Sequence, residues 1–79
     1  MKKFAFIGAG SFIFTRNLVR DLLSFPAFAD CELALMDTDP ERLERITAAV
    51  RKINAAMGTH ATITPTQSRA EALSGADGV

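Results

Sequence analysis

The sequence of 79 residues predicts an α/β fold built on a doubly wound parallel sheet. Three observations support this prediction. Apolar segments alternate with amphipathic helical segments along the chain, the first apolar segment ends in two glycines, and the second ends in an acidic residue. The element order is β-α-β-α-β-α followed by the start of a fourth strand, so we expect the first half of such a domain over residues 1–79.

The first strand is predicted at residues 3–7, where an uninterrupted apolar run follows Lys3. Such a run is typical of a strand that is buried on both faces. A helix is predicted over residues 12–24 because apolar residues recur there with helical spacing. The apolar face consists of Phe14, Leu18 and Leu22, with Val19 and Leu23 beside them. Pro26 ends this helix, since proline disfavours helical geometry in the preceding residue.

The second strand is predicted at residues 31–36, and a second helix follows it. Asp39 is a suitable N-cap, Pro40 suits the first helical position, and Glu41 suits the positive end of the helix dipole. The predicted core stripe of this helix is Leu43, Ile46, Val50, Ile53 and Met57. Gly58 provides the C-terminal stop.

The third strand is predicted at residues 61–65, and a short helix follows, ending near Leu73. Ser68 and Glu71 have the spacing of a capping box at the start of that helix. Gly75 breaks the helix, and residues 78–79 would open the fourth strand. A sheet halved in this way exposes an edge and one apolar face. We therefore expect the chain to be an N-terminal fragment that by itself is marginally stable or needs a partner.

Composition narrows the class of protein. The chain is 48% hydrophobic and 23% charged, as is usual for a soluble globular protein. Nine basic residues balance nine acidic ones, so we expect no binding to nucleic acid or to an anionic membrane. The apolar run after Lys2 and Lys3 is too short for a signal peptide. The single cysteine favours a reducing compartment, and we expect a cytoplasmic protein.

The two glycines predict a phosphate-binding turn. Gly8 allows a tight turn after the strand, and Gly10 lets a pyrophosphate approach the backbone. The predicted cofactor-binding residues of this turn are Gly8, Ala9, Gly10, Ser11, and, through their backbone N–H groups, Phe12 and Ile13. Ile13 replaces the third glycine of the usual motif, so the helix must lie slightly further from the strand or be rotated. The alternative is a glycine-rich turn without a ligand.

Asp37 directly follows the second predicted strand. In this Rossmann-like arrangement, an acid at that position accepts hydrogen bonds from the adenosine ribose, and its charge repels a 2′-phosphate. The sequence therefore favours NAD over NADP. The alternative is that Asp37 only caps a turn before Pro40, together with Asp39.

The remaining candidates point to structural roles. We expect His60 to lie at the surface, Cys31 to pack at a strand start, and Arg16 and Arg20 to form a solvated helix face rather than a phosphate clamp. The spacing of the cysteine and the histidine matches no zinc site and no catalytic triad, so no metal or catalytic residue is predicted within the chain.

Three segments together resemble the N-terminus of glycoside hydrolase family 4. They are IGAGSFIFTRNLVRDLL, ELALMDTDPERLE and EALSGADGV. The glycine turn with Phe14-Thr15 and Asn17-Leu18 resembles the α-galactosidase and α-glucosidase branch of that family. The family also lacks the third glycine of the usual motif, which accounts for Ile13.

The resemblance implies an NAD- and Mn²⁺-dependent glycosidase that acts on α-galactosides or α-glucosides. Its implied mechanism is oxidation at the sugar C3, removal of the C2 proton, elimination of the glycosidic bond, and addition of water. The metal and catalytic residues would lie beyond residue 79, so this chain alone would be inactive and would contribute only the NAD-binding part. We expect the full-length enzyme to be a homo-oligomer.

Two other functions fit the same turn. One is a lactate/malate-type NAD-dependent dehydrogenase, although its motif usually keeps the small third residue that Ile13 replaces. The other is an NAD-binding module without catalysis. The sequence after Val79 would separate the three hypotheses.

Overall fold

A computed structural model describes residues 2–9 and 12–77 of the chain. The elements are β1 (Lys3–Ile7), α1 (Phe12–Leu23), β2 (Glu32–Met36), α2 (Pro40–Ala56), β3 (Thr62–Thr66) and α3 (Arg69–Leu73), with one turn of 3₁₀ helix at Pro26–Phe28 between α1 and β2. The predicted α/β fold is confirmed. The predicted start of a fourth strand at residues 78–79 lies outside the described residues.

The three strands form a parallel sheet in the order β1-β2-β3. Ile7 is paired with Met36, and Met36 with Thr66, so the carboxyl ends of all three strands meet at one edge. Ligands of open α/β sheets bind outside this edge. The predicted turn after β1 and the acid after β2 therefore lie at the same end of the sheet.

The helices cover the sheet on both faces. Side chains of α1 and α2 pack with Leu33 and Leu35 of β2 in the larger core cluster. Ala72 of α3 packs on the opposite face with Ala34 and Met36, which alternate with those leucines along β2. The chain thus has three layers, with β2 buried between them.

The first strand and helix are less buried than the sequence predicts. In β1 only Ala5 is fully buried, because this strand lies at the edge of the described sheet; the expectation of burial on both faces is wrong here. The buried face of α1 contains Thr15, Val19 and Leu23 rather than the predicted Phe14, which is 65% exposed. The apolar stripe of α1 is wide enough that spacing alone did not identify which part faces the sheet.

The second helix agrees closely with its prediction. Asp39 Oδ1 accepts hydrogen bonds from the N–H groups of Glu41 (2.9 Å) and Arg42 (3.3 Å), so it is the N-cap. The predicted core stripe is buried except for Met57, which follows the helix as its C-cap and is 39% exposed. Gly58 takes the left-handed conformation (φ 68°) expected of the residue that stops a helix.

The third helix forms only half of the predicted capping box. Ser68 Oγ accepts from the N–H of Glu71 at 3.2 Å, as predicted. The Glu71 carboxylate instead accepts from the Thr66 hydroxyl (2.6 Å), while the Ser68 N–H donates to Thr66 Oγ1 (3.0 Å). Thr66, the last residue of β3, thus replaces the reciprocal bond of the box. Within the described part of the chain, no helix is long and apolar enough to cross a membrane.

Candidate cofactor-binding site

The site lies where β1 and β2 end. Gly8 and Ala9 follow β1, and Asp37 follows β2 directly. The N–H of Ala9 donates to the carbonyl of Met36 at 2.8 Å. This bond ties the glycine turn to the end of β2, so the turn and Asp37 are held at one edge of the sheet.

Gly8 has a backbone conformation that favours glycine. Its φ is 72°, in the left-handed region where a Cβ is unfavourable. A Cβ built at Gly8 would meet no heavy atom within 4 Å, so the constraint is backbone strain rather than a clash. Among the described residues, the space beside Gly8 is therefore open.

Thr15 supports this turn, a role that the sequence pattern does not predict. It is buried, and its hydroxyl donates to the carbonyl of Ala9 at 2.9 Å. Ala9 is thus held through its N–H by β2 and through its carbonyl by α1. One feature of the sequence is consistent with this role. Thr15 is a hydroxyl residue among the apolar residues of a helix that begins at a glycine turn, and its hydroxyl can bond to a nearby backbone group, which the isosteric valine could not do.

Asp37 is 7% exposed and takes part in the turn that leads into α2. Its Oδ1 accepts from the N–H of Asp39 at 2.9 Å, and its own N–H donates to the carbonyl of Thr66 at 3.4 Å. The two aspartates therefore have separate tasks, since Asp39 caps α2 while Asp37 shapes the loop before it. Asp37 therefore has the role in the turn before Pro40 that the sequence predicts as the alternative. The same hydrogen bonds hold its carboxylate at the carboxyl edge of the sheet.

The structure describes only some of the other predicted residues of the turn. Gly10 and Ser11 lie outside the described residues, and their predicted roles stay predictions. Phe12 begins α1, where free backbone N–H groups occur. Ile13 is 73% exposed, so its side chain does not lie between helix and strand, and Thr15 makes the contact there.

A groove of about 540 Å³ extends from Gly8 along the outer side of β1. Its walls come from β1 and α1 and include Phe6, Phe14 and Leu18. The larger groove of about 770 Å³ lies away from this site, between α1 and α2. The larger of these two grooves therefore does not contain the predicted cofactor-binding residues Gly8 and Asp37.

The remaining polar candidates lie elsewhere. His60 is exposed, and its backbone N–H donates to the carbonyl of Ala29 at 2.9 Å. Burial raises the pKa of the Cys31 thiol, so the thiol stays protonated and unreactive at neutral pH. Among residues 2–9 and 12–77, no group of three or more His, Cys, Asp or Glu side chains could hold a metal ion.

Comparison with known proteins gives a family match over nearly the whole chain. Residues 3–79 match the family described as "Family 4 glycosyl hydrolase". An α-galactosidase of Rhizobium meliloti (strain 1021) is 40% identical over 74 residues, which cover 94% of this chain and 15% of that protein. An α-galactosidase of Bacillus subtilis (strain 168) is 52% identical over 44 residues, 56% of this chain and 10% of that protein.

The chain therefore spans less than a sixth of the length of these two curated relatives. No solved structure matches the chain significantly.

Proposed function

The chain belongs to family 4 of the glycosyl hydrolases, and from this premise we propose that it forms the NAD-binding start of an enzyme that cleaves α-galactosides or α-glucosides. The two relatives named above are both α-galactosidases, which favours the galactoside. Membership of this family also favours a glycosidase over the lactate/malate-type dehydrogenase that shares the fold.

One observation supports the cofactor part of this proposal above the others. The hydrogen bond from Ala9 to Met36 holds the open Gly8 turn and the Asp37 carboxylate at the same edge of a parallel sheet. In open α/β sheets, dinucleotides bind outside the carboxyl edge of the strands. The backbone at Gly8 and the acid after β2 have the chemistry that binding of a pyrophosphate and a ribose requires.

Each residue of the site has a defined part in the proposal. Gly8 allows the tight turn after β1, Gly10 lets the pyrophosphate approach the main chain, and the first N–H groups of α1 donate to its oxygens. Asp37 accepts hydrogen bonds from the ribose hydroxyls and repels a 2′-phosphate. Thr15 keeps the Ala9 carbonyl bonded, so the turn holds its shape with or without a ligand.

When bound, NAD⁺ supplies a hydride acceptor for the sugar carbon C3 and a donor that returns the hydride at the end of the cycle. We propose that the rest of the enzyme binds Mn²⁺ and contains the acid–base residues. We also propose a homo-oligomeric enzyme in the cytoplasm, which the use of one buried cysteine favours.

The test uses the full-length protein freed of nucleotide with charcoal and of metal with EDTA. Hydrolysis of p-nitrophenyl α-galactoside and of the corresponding glucoside should be lost, and should return only when NAD⁺ and Mn²⁺ are both added. Undiminished hydrolysis after both treatments would refute the proposal. In D₂O, the released sugar should carry deuterium at C2, which distinguishes proton removal at that carbon from hydrolysis by two carboxylates.

A further inference from the structure

The arginines of α1 face two cations of α2 across a groove that is separate from the cofactor site. The sequence alone places Arg16 and Arg20 on a solvated helix face. The structure places them on one side of the 770 Å³ groove, opposite Arg45 and Lys52. No acidic side chain is among the described residues that line the groove. Four positive charges thus surround one concave surface.

This concentration of charge is local. The chain as a whole carries nine basic and nine acidic residues. Among the described residues, Lys3 is paired with Glu32 and Arg42 with Asp39, and both ion pairs lie outside the groove. Arg20, Arg45 and Lys52 form no ion pair with another described residue. Their mutual repulsion is unfavourable, and an acidic partner would relieve it.

The floor of the groove is apolar, and most of its side chains are small. It is formed along α2 by the small residues Ala48, Ala49 and Ala56, with Met57 at one end. The stretch from Arg45 to Met57 is about 18 Å long at the helical rise per residue. That length corresponds to about three turns of a second helix.

We propose that this groove binds an acidic amphipathic α-helix of a partner protein. The apolar face of the helix would lie on the alanines and Met57, and carboxylates on the two flanks of that face would reach the cations on both sides of the groove. A membrane is a poorer fit, because a membrane-binding surface presents protruding Trp, Phe or Leu side chains. None of these is among the described residues that line the groove.

The test measures binding of a synthetic 18-residue helical peptide to the full-length protein by fluorescence anisotropy. The peptide has Glu on two flanks of a Leu/Ala face, and a scrambled peptide of the same composition has no such face. We expect saturable binding of the amphipathic peptide, weakened at least about tenfold by the double variant Arg20→Glu/Arg45→Glu, as charge reversal at an interface predicts. The matched control, Arg69→Glu on the exposed surface of α3, should bind as the unmodified protein does.

Several results would overturn the proposal. Equal binding of the scrambled peptide would show attraction to charge without a groove. No saturable binding of the amphipathic peptide would show that the groove does not bind an acidic helix. Binding to phosphatidylglycerol vesicles but not to the peptide, when lost in the double variant, would make the surface a membrane site. Thermal melting confirms that the exposed substitutions leave the protein folded, and the measurement does not depend on hydrolysis.

Discussion

The β2–α2 region and the β1–α1 region differ in how completely they are buried. In β2, Leu33, Ala34, Leu35 and Met36 are all buried, because the strand has a neighbour on each side and helices on both faces. In the β1–α1 region, Ile13, Phe14 and Leu18 are exposed at 73%, 65% and 39%. The β2–α2 region is therefore a fully packed core, whereas the β1–α1 region leaves apolar side chains exposed that further polypeptide would cover.

The chain itself approaches the open side of this second region. Beyond α3, the N–H of Asp77 donates to the carbonyl of Lys3 at 2.7 Å, and the N–H of Lys3 donates to Asp77 Oδ2 at 2.8 Å. Lys3 Nζ also donates to the carbonyls of Glu71 and Ser74, so it binds the end of α3. These bonds bring the chain to the start of β1, at Lys3. The glycine turn follows the other end of β1, on the less buried side of the sheet.

The largest expected effect is a difference between the two regions in how much a core substitution lowers the free energy of unfolding. Ile46→Ala removes a fully buried side chain between α2 and β2 and should lower the free energy of unfolding by about 3 kcal/mol, as large-to-small core substitutions do. The matched variant Phe14→Ala should cost less than about 1 kcal/mol in the 79-residue chain and about 3 kcal/mol in the full-length protein. Urea titration of both lengths measures this. Equal effects of Phe14→Ala in the two proteins would show that nothing covers α1.

Next in size is the effect of Asp37 on cofactor binding. Asp37→Ala removes a charged acceptor at the end of β2 and should weaken NAD binding by about 10- to 100-fold, the usual range for a hydrogen bond to a charged group. Calorimetry on the full-length protein measures the affinity. Asp37→Asn keeps an acceptor for the N–H of Asp39 and should narrow the preference for NAD over NADP. If Asp37→Ala left the affinity unchanged, Asp37 would have no place in the site.

A smaller effect is expected where α1 supports the glycine turn. Thr15→Val keeps the shape of the side chain but leaves the Ala9 carbonyl without its hydroxyl donor, which should cost about 1.5 kcal/mol of stability. NAD affinity should fall as well, because the turn is less firmly held. Thr15→Ser keeps the donor and is the control. A variant Thr15→Val with unchanged melting temperature and NAD affinity would remove Thr15 from the support of the turn.

The smallest expected effect tests whether the two aspartates of the β2–α2 loop act separately. Asp39→Ala removes the N-cap of α2 and should cost about 1 kcal/mol of stability. It should leave NAD affinity close to that of the unmodified protein, in contrast to Asp37→Ala. Thermal melting and calorimetry on the same samples measure both quantities. A loss of NAD affinity equal to that of Asp37→Ala would mean that the loop acts as one unit.

The sequence predicts the ends of an element well where those ends depend on neighbouring residues in the chain. Asp39, Pro40 and Gly58 identify the ends of α2 because capping and left-handed stops depend on a few neighbouring residues. The boundaries of β2 and β3 moved by one residue, since strand ends depend on pairing with a neighbour. The sequence predicts only the end of α1 near Pro26, and the structure adds one turn of 3₁₀ helix at Pro26–Phe28.

The candidate site was predicted in part. The positions of Gly8 and Asp37 after two predicted strands make them candidates, and the structure places both at one edge of the sheet. The sequence does not predict the role of Thr15, because the partner of its hydroxyl is a carbonyl outside its own helix. The binding of NAD and of Mn²⁺ stays a prediction.

The sequence by itself determined the order of the elements, the family and the two chemical groups of the proposed cofactor site, because these depend on residue types and spacings along the chain. Only the tertiary structure decided which face of α1 is buried, that β1 lies at an edge, and that four cations meet across the groove between α1 and α2. Burial and charge clustering depend on residues that are distant in sequence. No local pattern contains that information, and it exists only once the helices pack on the sheet.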